Sequence, residues 1–251
     1  VIWKTDEGQA LWKVINTETK EVVIYNGVFE YGDIPKDEIR FDNRVAVVTG
    51  AGAGLGRVYA LELAKRGASV VVNDLGGARD GSGECSSTPA DQVVAEIKAL
   101  GGNAVANYDN VATPEGGQNI INSALDAFGT VDILINNAGY WEPGFLWERS
   151  PDSLEAMIMV HNVAPVRFIR AALPRMLQRD RGDIINVSSI GAYINMVTME
   201  NYGATKTYLI SFTESLHVAL MGTGIRVQAL APGFTVTEFH SRLGADFTKE
   251  Q

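Results

Sequence analysis

The chain has 251 residues, 46 % apolar and 20 % charged, a balance that supports a sizeable globular core and excludes a chain too polar to collapse. Its net charge of −9 disfavours nucleic acid or an anionic membrane surface as a partner. A single cysteine, Cys85, excludes an intrachain disulfide and a cysteine-rich metal site, and no apolar run approaches the ~20 residues of a bilayer span.

Residues 1–43 read as an N-terminal extension. Leu11-Trp12-Lys13-Val14-Ile15 and Glu21-Val22-Val23-Ile24-Tyr25 flank the polar Asn16-Thr17-Glu18-Thr19-Lys20, which predicts a β-hairpin, with Asn26-Gly27 as a further turn. Gly32 to Asp37 reads as a linker. The chain opens on Val1 and shows no signal-peptide pattern.

From Arg44 onward strand and helix patterns alternate. Strands are predicted over 45–49, 69–73, 104–107, 131–135, 183–188 and 225–230, and helices over 55–66, 90–100, 115–128, 152–177, 201–221 and 237–243. The strands are rich in Val, Ile and Ala without alternation, as in a parallel sheet covered on both faces. The order predicts an α/β fold, a doubly wound, Rossmann-like parallel sheet whose ligands bind at the carboxyl ends of the strands. Residues 76–89 form a Gly/Ser-rich loop, in which Cys85 reads as an exposed thiol.

Thr49-Gly50-Ala51-Gly52-Ala53-Gly54-Leu55-Gly56 follows the first of these strands. A strand running through a glycine turn into a helix is a cradle for a pyrophosphate, because the first helical N–H groups have no partner inside the helix. Gly50, Gly54, Leu55 and Gly56 are the candidate cofactor positions of this turn. Asp74 ends the next strand, where a carboxylate can accept the ribose hydroxyls and repel a 2′-phosphate. Position 53 is Ala and position 75 is Leu, so no cation is placed beside that ribose. NAD is the expected cofactor. Asn136-Asn137-Ala138-Gly139 ends the fourth strand with small groups suited to close contact with it. Pro232-Gly233 and Thr237 follow the sixth strand and are placed on the nicotinamide side.

Tyr202 and Lys206 lie one helical turn apart, on one face. A phenol has a pKa near 10, and a base at neutral pH needs it lowered by roughly 3 units. The Lys206 charge and the nicotinamide charge are the expected agents. Tyr202 can then take a proton from an alcohol or give one to a carbonyl oxygen. Lys206 can also hold the nicotinamide ribose, and Ser189 can hold the substrate oxygen in register.

These motifs, in this order, resemble the short-chain dehydrogenase/reductase family over about 44–243. The resemblance rests on the glycine turn 49–56, Asn136-Asn137-Ala138-Gly139, Ser189, Tyr202-Gly203-Ala204-Thr205-Lys206 and Pro232-Gly233. It implies a dinucleotide-binding Rossmann fold, the roles given above, and a homodimer or homotetramer built on the two long helices around the fifth strand. Residues 47–57, 70–77 and 106–111 look like the hydroxyacyl-CoA dehydrogenase subgroup found in multifunctional β-oxidation enzymes. By that resemblance Asp109 lies near the adenine. The family usually has an asparagine that anchors a water for proton relay. An ungapped count back from Ser189 puts His161 there, with Asn162 adjacent. His161 therefore reads either as this relay residue, neutral beside Lys206, or as a packed core histidine. The family's last strand is absent before Gln251, so the domain is expected to be incomplete at its C-terminal end.

The expected activity is hydride transfer between NAD(H) and a secondary alcohol or ketone, with a 3-hydroxyacyl thioester first. Hydroxysteroids or other small alcohols are the alternative substrates, and a non-catalytic NAD sensor is the alternative class. The expected location is cytoplasmic, or peroxisomal in a eukaryote. No nucleic-acid, membrane or metal partner is expected.

Overall fold

Val45–Thr49 is a run of β-branched and small residues with no charge, and every one of them is buried. Such a strand cannot lie at a wet edge, so it occupies the middle of a sheet. The computed structural model describes residues 39–76 and 88–233 in full, with the backbone of three short strands before them. The predicted turn at Asn26-Gly27, the linker, Cys85, the predicted helix 237–243 and Thr237 lie outside the described residues.

The chain divides into two compact units, Val1–Ile39 and Arg40–Gln251. In the first, β1 (Ile2–Lys4), β2 (Ala10–Ile15) and β3 (Val22–Tyr25) form an antiparallel sheet in that order. β2 and β3 pair from Trp12 opposite Tyr25 to Ile15 opposite Val22.

The second unit runs β4 (Val45–Thr49), α1 (Gly54–Lys65), β5 (Ser69–Asn73), α2 (Thr88–Ala99), β6 (Asn103–Asn107), α3 (Pro114–Phe128) and β7 (Ile133–Asn136). It continues through α4 (Pro151–Ile158), α5 (Ala164–Gln178), β8 (Gly182–Val187), α6 (Glu200–Ala219) and β9 (Ile225–Leu230). The six strands pair in parallel in the order β6-β5-β4-β7-β8-β9. The order reverses beside β4, between β5 and β7, which is where a doubly wound sheet opens a crevice.

Successive strand residues face opposite sides. Val45, Val47, Val71, Leu134 and Ile184 pack with Ile120 of α3 and Phe168 and Met176 of α5. Ala46, Val48, Val70, Val72 and Ile135 pack with Leu63 of α1 and Val93 and Ile97 of α2. Helix ends follow local chemistry. Thr113 caps α3 by accepting from Gly116 N, Pro114 opens it, and Gly129 closes it at φ 81°.

The predicted single helix over 152–177 is interrupted. Between α4 and α5 the backbone widens into an i→i+5 turn over Met159–Val163, closed by Ala164 N donating to Met159 O. The helical run Pro151–Gln178 is also long and apolar enough to cross a membrane by length and composition, which a search for unbroken apolar runs passes over. Met157, Phe168, Ile169 and Met176 on it are buried within the protein, as in a core helix.

Candidate active site

The carboxyl ends of β4, β5, β7, β8 and β9 deliver the predicted motifs to one side of the sheet. After Thr49 the chain turns through Gly50 at φ 62° and enters α1 at Gly54, φ 55°. Ala53 before it supplies no side-chain cap, so the first N–H groups of α1, from Gly54, Leu55 and Gly56, have no cap from the preceding side chain. A Cβ on Gly50 would stand 2.9 Å from Ala138 Cα, and one on Gly56 would run into the carbonyl oxygen of Gly50. The turn is thus a cradle that only glycine leaves open.

The loop after β7 holds that cradle in place. Thr49 Oγ1 accepts from Asn137 N and Ala138 N, both at 3.1 Å. Asn137 Nδ2 donates to Thr49 O at 2.9 Å and Gly50 O at 3.1 Å. The amide of Asn137 therefore braces the glycine turn. Asp74 is oriented by two backbone groups, with Gly52 N donating to Oδ2 at 2.8 Å and Gly76 N to Oδ1 at 2.9 Å. A carboxylate so held keeps further lone pairs for ribose hydroxyls.

Asp109 belongs to a polar network that the sequence reading missed. Asn107 Nδ2 donates to its Oδ2 at 2.7 Å, Asn119 Nδ2 donates to its Oδ1 at 3.0 Å, and Asn73 Nδ2 donates to its backbone carbonyl at 3.0 Å. Asn73 and Asn107, buried at the ends of β5 and β6, are the signal that could have disclosed it: polar residues closing otherwise apolar strands. On the far side of the crevice, Ile190 N donates to Pro232 O at 3.0 Å, which sets Pro232 and Gly233 against the segment after Ser189.

Ser189 leaves β8 in extended backbone and caps the short turn Ile190–Ala192, its Oγ accepting from Gly191 N at 3.1 Å. Tyr202 and Lys206 stand in the first turns of α6, 8 % and 4 % exposed. Lys206 Nζ donates to Val187 O at 3.0 Å and lies 5.6 Å from the centre of the Tyr202 ring. Ser188 Oγ donates to Lys206 O at 2.8 Å, tying α6 back to the end of β8.

The electrostatics differ from the sequence expectation. Burial holds the Tyr202 phenol above its ordinary value, and only the hydrogen bond with Ser189 works against it. Burial also brings the Lys206 ammonium down to about 8. Lys206 is itself desolvated and engages a carbonyl, so it does not by itself lower Tyr202. Both effects follow from removing a charge from water.

His161 is fully buried in the widened turn between α4 and α5. Its Nε2 accepts from Tyr140 N at 3.0 Å, which places the ring proton on Nδ1, 2.8 Å from Thr205 Oγ1. Thr205 Oγ1 in turn donates to Tyr202 O at 2.7 Å. Burial first, then Lys206, holds His161 well below its ordinary value, so the ring is neutral. Both ring nitrogens have protein partners, which is the geometry of a brace between the β7 loop and α6. Asn162 Nδ2 donates to Thr205 O at 2.8 Å and adds a second tie. A Cβ on Gly139 would lie 3.0 Å from His161 Nε2 and 3.3 Å from Lys206 Nζ, so the glycine admits both groups. Thr205, between the tyrosine and the lysine, had no distinguishing signal in the sequence.

The glycine cradle, the N-terminus of α1 and the Asp74 carboxylate fit the pyrophosphate and ribose of a nicotinamide dinucleotide. Fold and site together define a dinucleotide-binding oxidoreductase domain. The chain belongs to the short chain dehydrogenase family, whose profile matches residues 44–247. It is 46 % identical over 190 residues to a short-chain type dehydrogenase/reductase of Mycobacterium tuberculosis, covering 76 % of this chain and 66 % of that one. It is 43 % identical over 194 residues to peroxisomal multifunctional enzyme A of Dictyostelium discoideum, covering 77 % of this chain and 43 % of the other. The chain thus spans under two thirds of the length of both relatives. Among solved structures it is similar to a 7 alpha-hydroxysteroid dehydrogenase in complex with NADH and 7-oxo glycochenodeoxycholic acid. The TM-score is 0.74 and the identity 28 %, over 82 % of this chain and 76 % of that one.

Proposed function

We propose that the chain interconverts a secondary alcohol and a ketone with NAD(H), and that a 3-hydroxyacyl thioester is its substrate class. The observation that carries this reading is the convergence of Ser189, Tyr202 and Lys206 at the sheet's carboxyl end, on the same side as the glycine cradle. Gly50, Gly54, Leu55 and Gly56 would receive the pyrophosphate. Asp74, followed by Leu75, would take the adenosine ribose and disfavour a 2′-phosphate. Asp109 would stand near the adenine. Ala138, Gly139, Pro232 and Gly233 would flank the nicotinamide half, and Thr237, four residues further along the sequence, is proposed as a cofactor contact. When bound, NAD supplies the hydride acceptor for alcohol oxidation, and NADH the donor for ketone reduction.

The chain's own groups handle the proton. Ser189 Oγ holds the substrate oxygen. In oxidation the Tyr202 phenolate takes the hydroxyl proton as the carbonyl forms, and in reduction the phenol gives it back. Burial opposes the phenolate, so positive charge brought by the bound cofactor would be required beside the ring. Lys206 would also hold the nicotinamide ribose. His161 acts through Thr205 on the backbone of Tyr202, and is a positioning residue in this reading.

The thioester class is supported by similarity to the Dictyostelium multifunctional enzyme. Similarity to the hydroxysteroid dehydrogenase favours a second reading, a steroid or other secondary alcohol at the same site. Exposed Tyr208 and Val218 on α6, with Met221 just after it, support a homodimer or homotetramer.

The test is a panel of 3-oxoacyl thioesters, oxosteroids and simple ketones, each with NADH and NADPH. Turnover of the thioesters with NADH is expected to lead. Tyr202→Phe should lower kcat at least ~100-fold, since it removes only the transferable proton. Wild-type-like kcat in that variant would rule out the acid–base assignment. Turnover of none of the panel by the unmodified protein would remove the enzymatic reading.

A further inference from the structure

Two loops rise from the sheet beside Ser189 and Tyr202. One joins β7 to α4, residues 137–150; the other joins β8 to α6, residues 188–199. Each carries exposed apolar side chains: Phe145 and Trp147, stacked with ring centres 4.7 Å apart, on the first, and Tyr193 and Val197 on the second. Trp147 is 78 % and Val197 73 % exposed. Large apolar side chains left in water on both rims of a candidate site are matched to an apolar ligand.

The two loops are joined by one arginine. Arg149, only 9 % exposed, donates from Nη2 to Gly144 O of its own loop at 2.6 Å and to Thr198 O of the other at 2.5 Å. Trp141 Nε1 also donates to Thr198 O, at 3.2 Å. Thr198 is held at φ 66°, a left-handed conformation that a β-branched residue rarely adopts. Its carbonyl is thereby turned toward Arg149 and Trp141.

Arg149 is an inefficient choice if stability were its purpose. Its Nε and Nη1 are buried without a hydrogen-bond partner among the described residues. A buried guanidinium in that state is costly, and an apolar side chain of similar length would fill the space without the cost. What an apolar residue could not supply is the tie between the carbonyls of Gly144 and Thr198.

The hydrogen bonds that fix the chemical groups are separate from that tie, while the Tyr202 ring packs near Trp141 and Met199 at the base of the two loops. Ser189 is fixed by Gly191 N, Lys206 by Val187 O, and the Tyr202 backbone by Thr205 and His161. The tie instead governs the loop tips, where the distal part of a substrate would lie. We propose that Arg149 is a specificity-determining positioning residue, which clamps the two apolar loops into a seat for the long apolar chain of the alcohol or ketone. The inference rests on the proposed oxidoreductase reading and deepens it.

The experiment compares acetoacetyl and 3-oxododecanoyl thioesters of N-acetylcysteamine as substrates for the whole chain with NADH. Binding of the long thioester without cofactor is measured in parallel by calorimetry. In Arg149→Met, kcat/KM for the long thioester should fall about tenfold or more, through KM, while the short one stays within about threefold. The Kd for the long thioester should rise by a similar factor. Trp147→Ser, a change at an exposed side chain, should reproduce the selective loss with an unchanged melting temperature. Equal losses for both chain lengths would make Arg149 a merely structural residue and overturn the inference, as would an unchanged Kd in both variants. If the unmodified protein binds the long thioester through these residues but turns over neither substrate, the oxidoreductase reading fails and the apolar seat stands.

Discussion

His161 makes folding stability depend on pH in a window where few other groups titrate. In the folded protein its Nε2 accepts from Tyr140 N, so protonation there would break that bond and bring a charge near Lys206. The folded value is held well below 6.5, by burial first and by Lys206 second. In the unfolded chain the imidazole takes a proton near pH 6.5. Below that pH the unfolded state therefore binds more protons than the folded state, and stability falls on acidification. Stability is full above about pH 6.5 and declines at up to about 1.4 kcal/mol for each pH unit below it, until the folded value is reached. Urea unfolding of the unmodified chain and of His161→Gln between about pH 7.5 and 5.5 measures this directly. The other two histidines of the chain, His217 and His240, are present in both proteins, so their titration cancels in the difference. Across that whole range the gap in unfolding free energy should change by about 1.4 kcal/mol in total, most of it below pH 6.5, the unmodified protein losing more. Parallel curves for the two proteins would refute the assignment of His161 as a buried neutral brace.

Two further outcomes follow from the cofactor cradle. Asp74→Ala with Leu75→Arg should shift the ratio of kcat/KM toward NADP by about tenfold or more, because a repelling carboxylate is replaced by a phosphate-pairing cation; a protein that already prefers NADP would contradict the role of Asp74. Gly56→Ala should weaken dinucleotide binding by about tenfold or more, measured by calorimetry, since the new Cβ meets the Gly50 carbonyl that shapes the turn; undiminished affinity would show that the turn is not the pyrophosphate cradle.

Much of the architecture is written locally. Val45–Thr49 and Ser69–Asn73 announce buried parallel strands because charge is absent from them, and burial of both sheet faces demands that. The glycine turn reads as a cradle because left-handed φ at Gly50 and Gly54 is a property of single residues. Tyr202 and Lys206 share a face because helical periodicity is local too.

What the tertiary structure decided are the quantities that depend on surroundings. Asn73, Asn107 and Asp109 form one network only because β5 and β6 are neighbours, an adjacency between residues more than thirty apart in the chain. The widened turn that seats His161 and Asn162 lies inside a segment whose sequence pattern is plain helix, because its i→i+5 bond is not marked by Gly or Pro at 159–163. The bridge from Arg149 to Thr198 depends on two loops meeting in space. The Tyr202 phenol rises rather than falls because burial sets the cost of its charge, and burial is a property of the whole fold: spacing can put a lysine beside a tyrosine, but only packing determines how much water either one keeps.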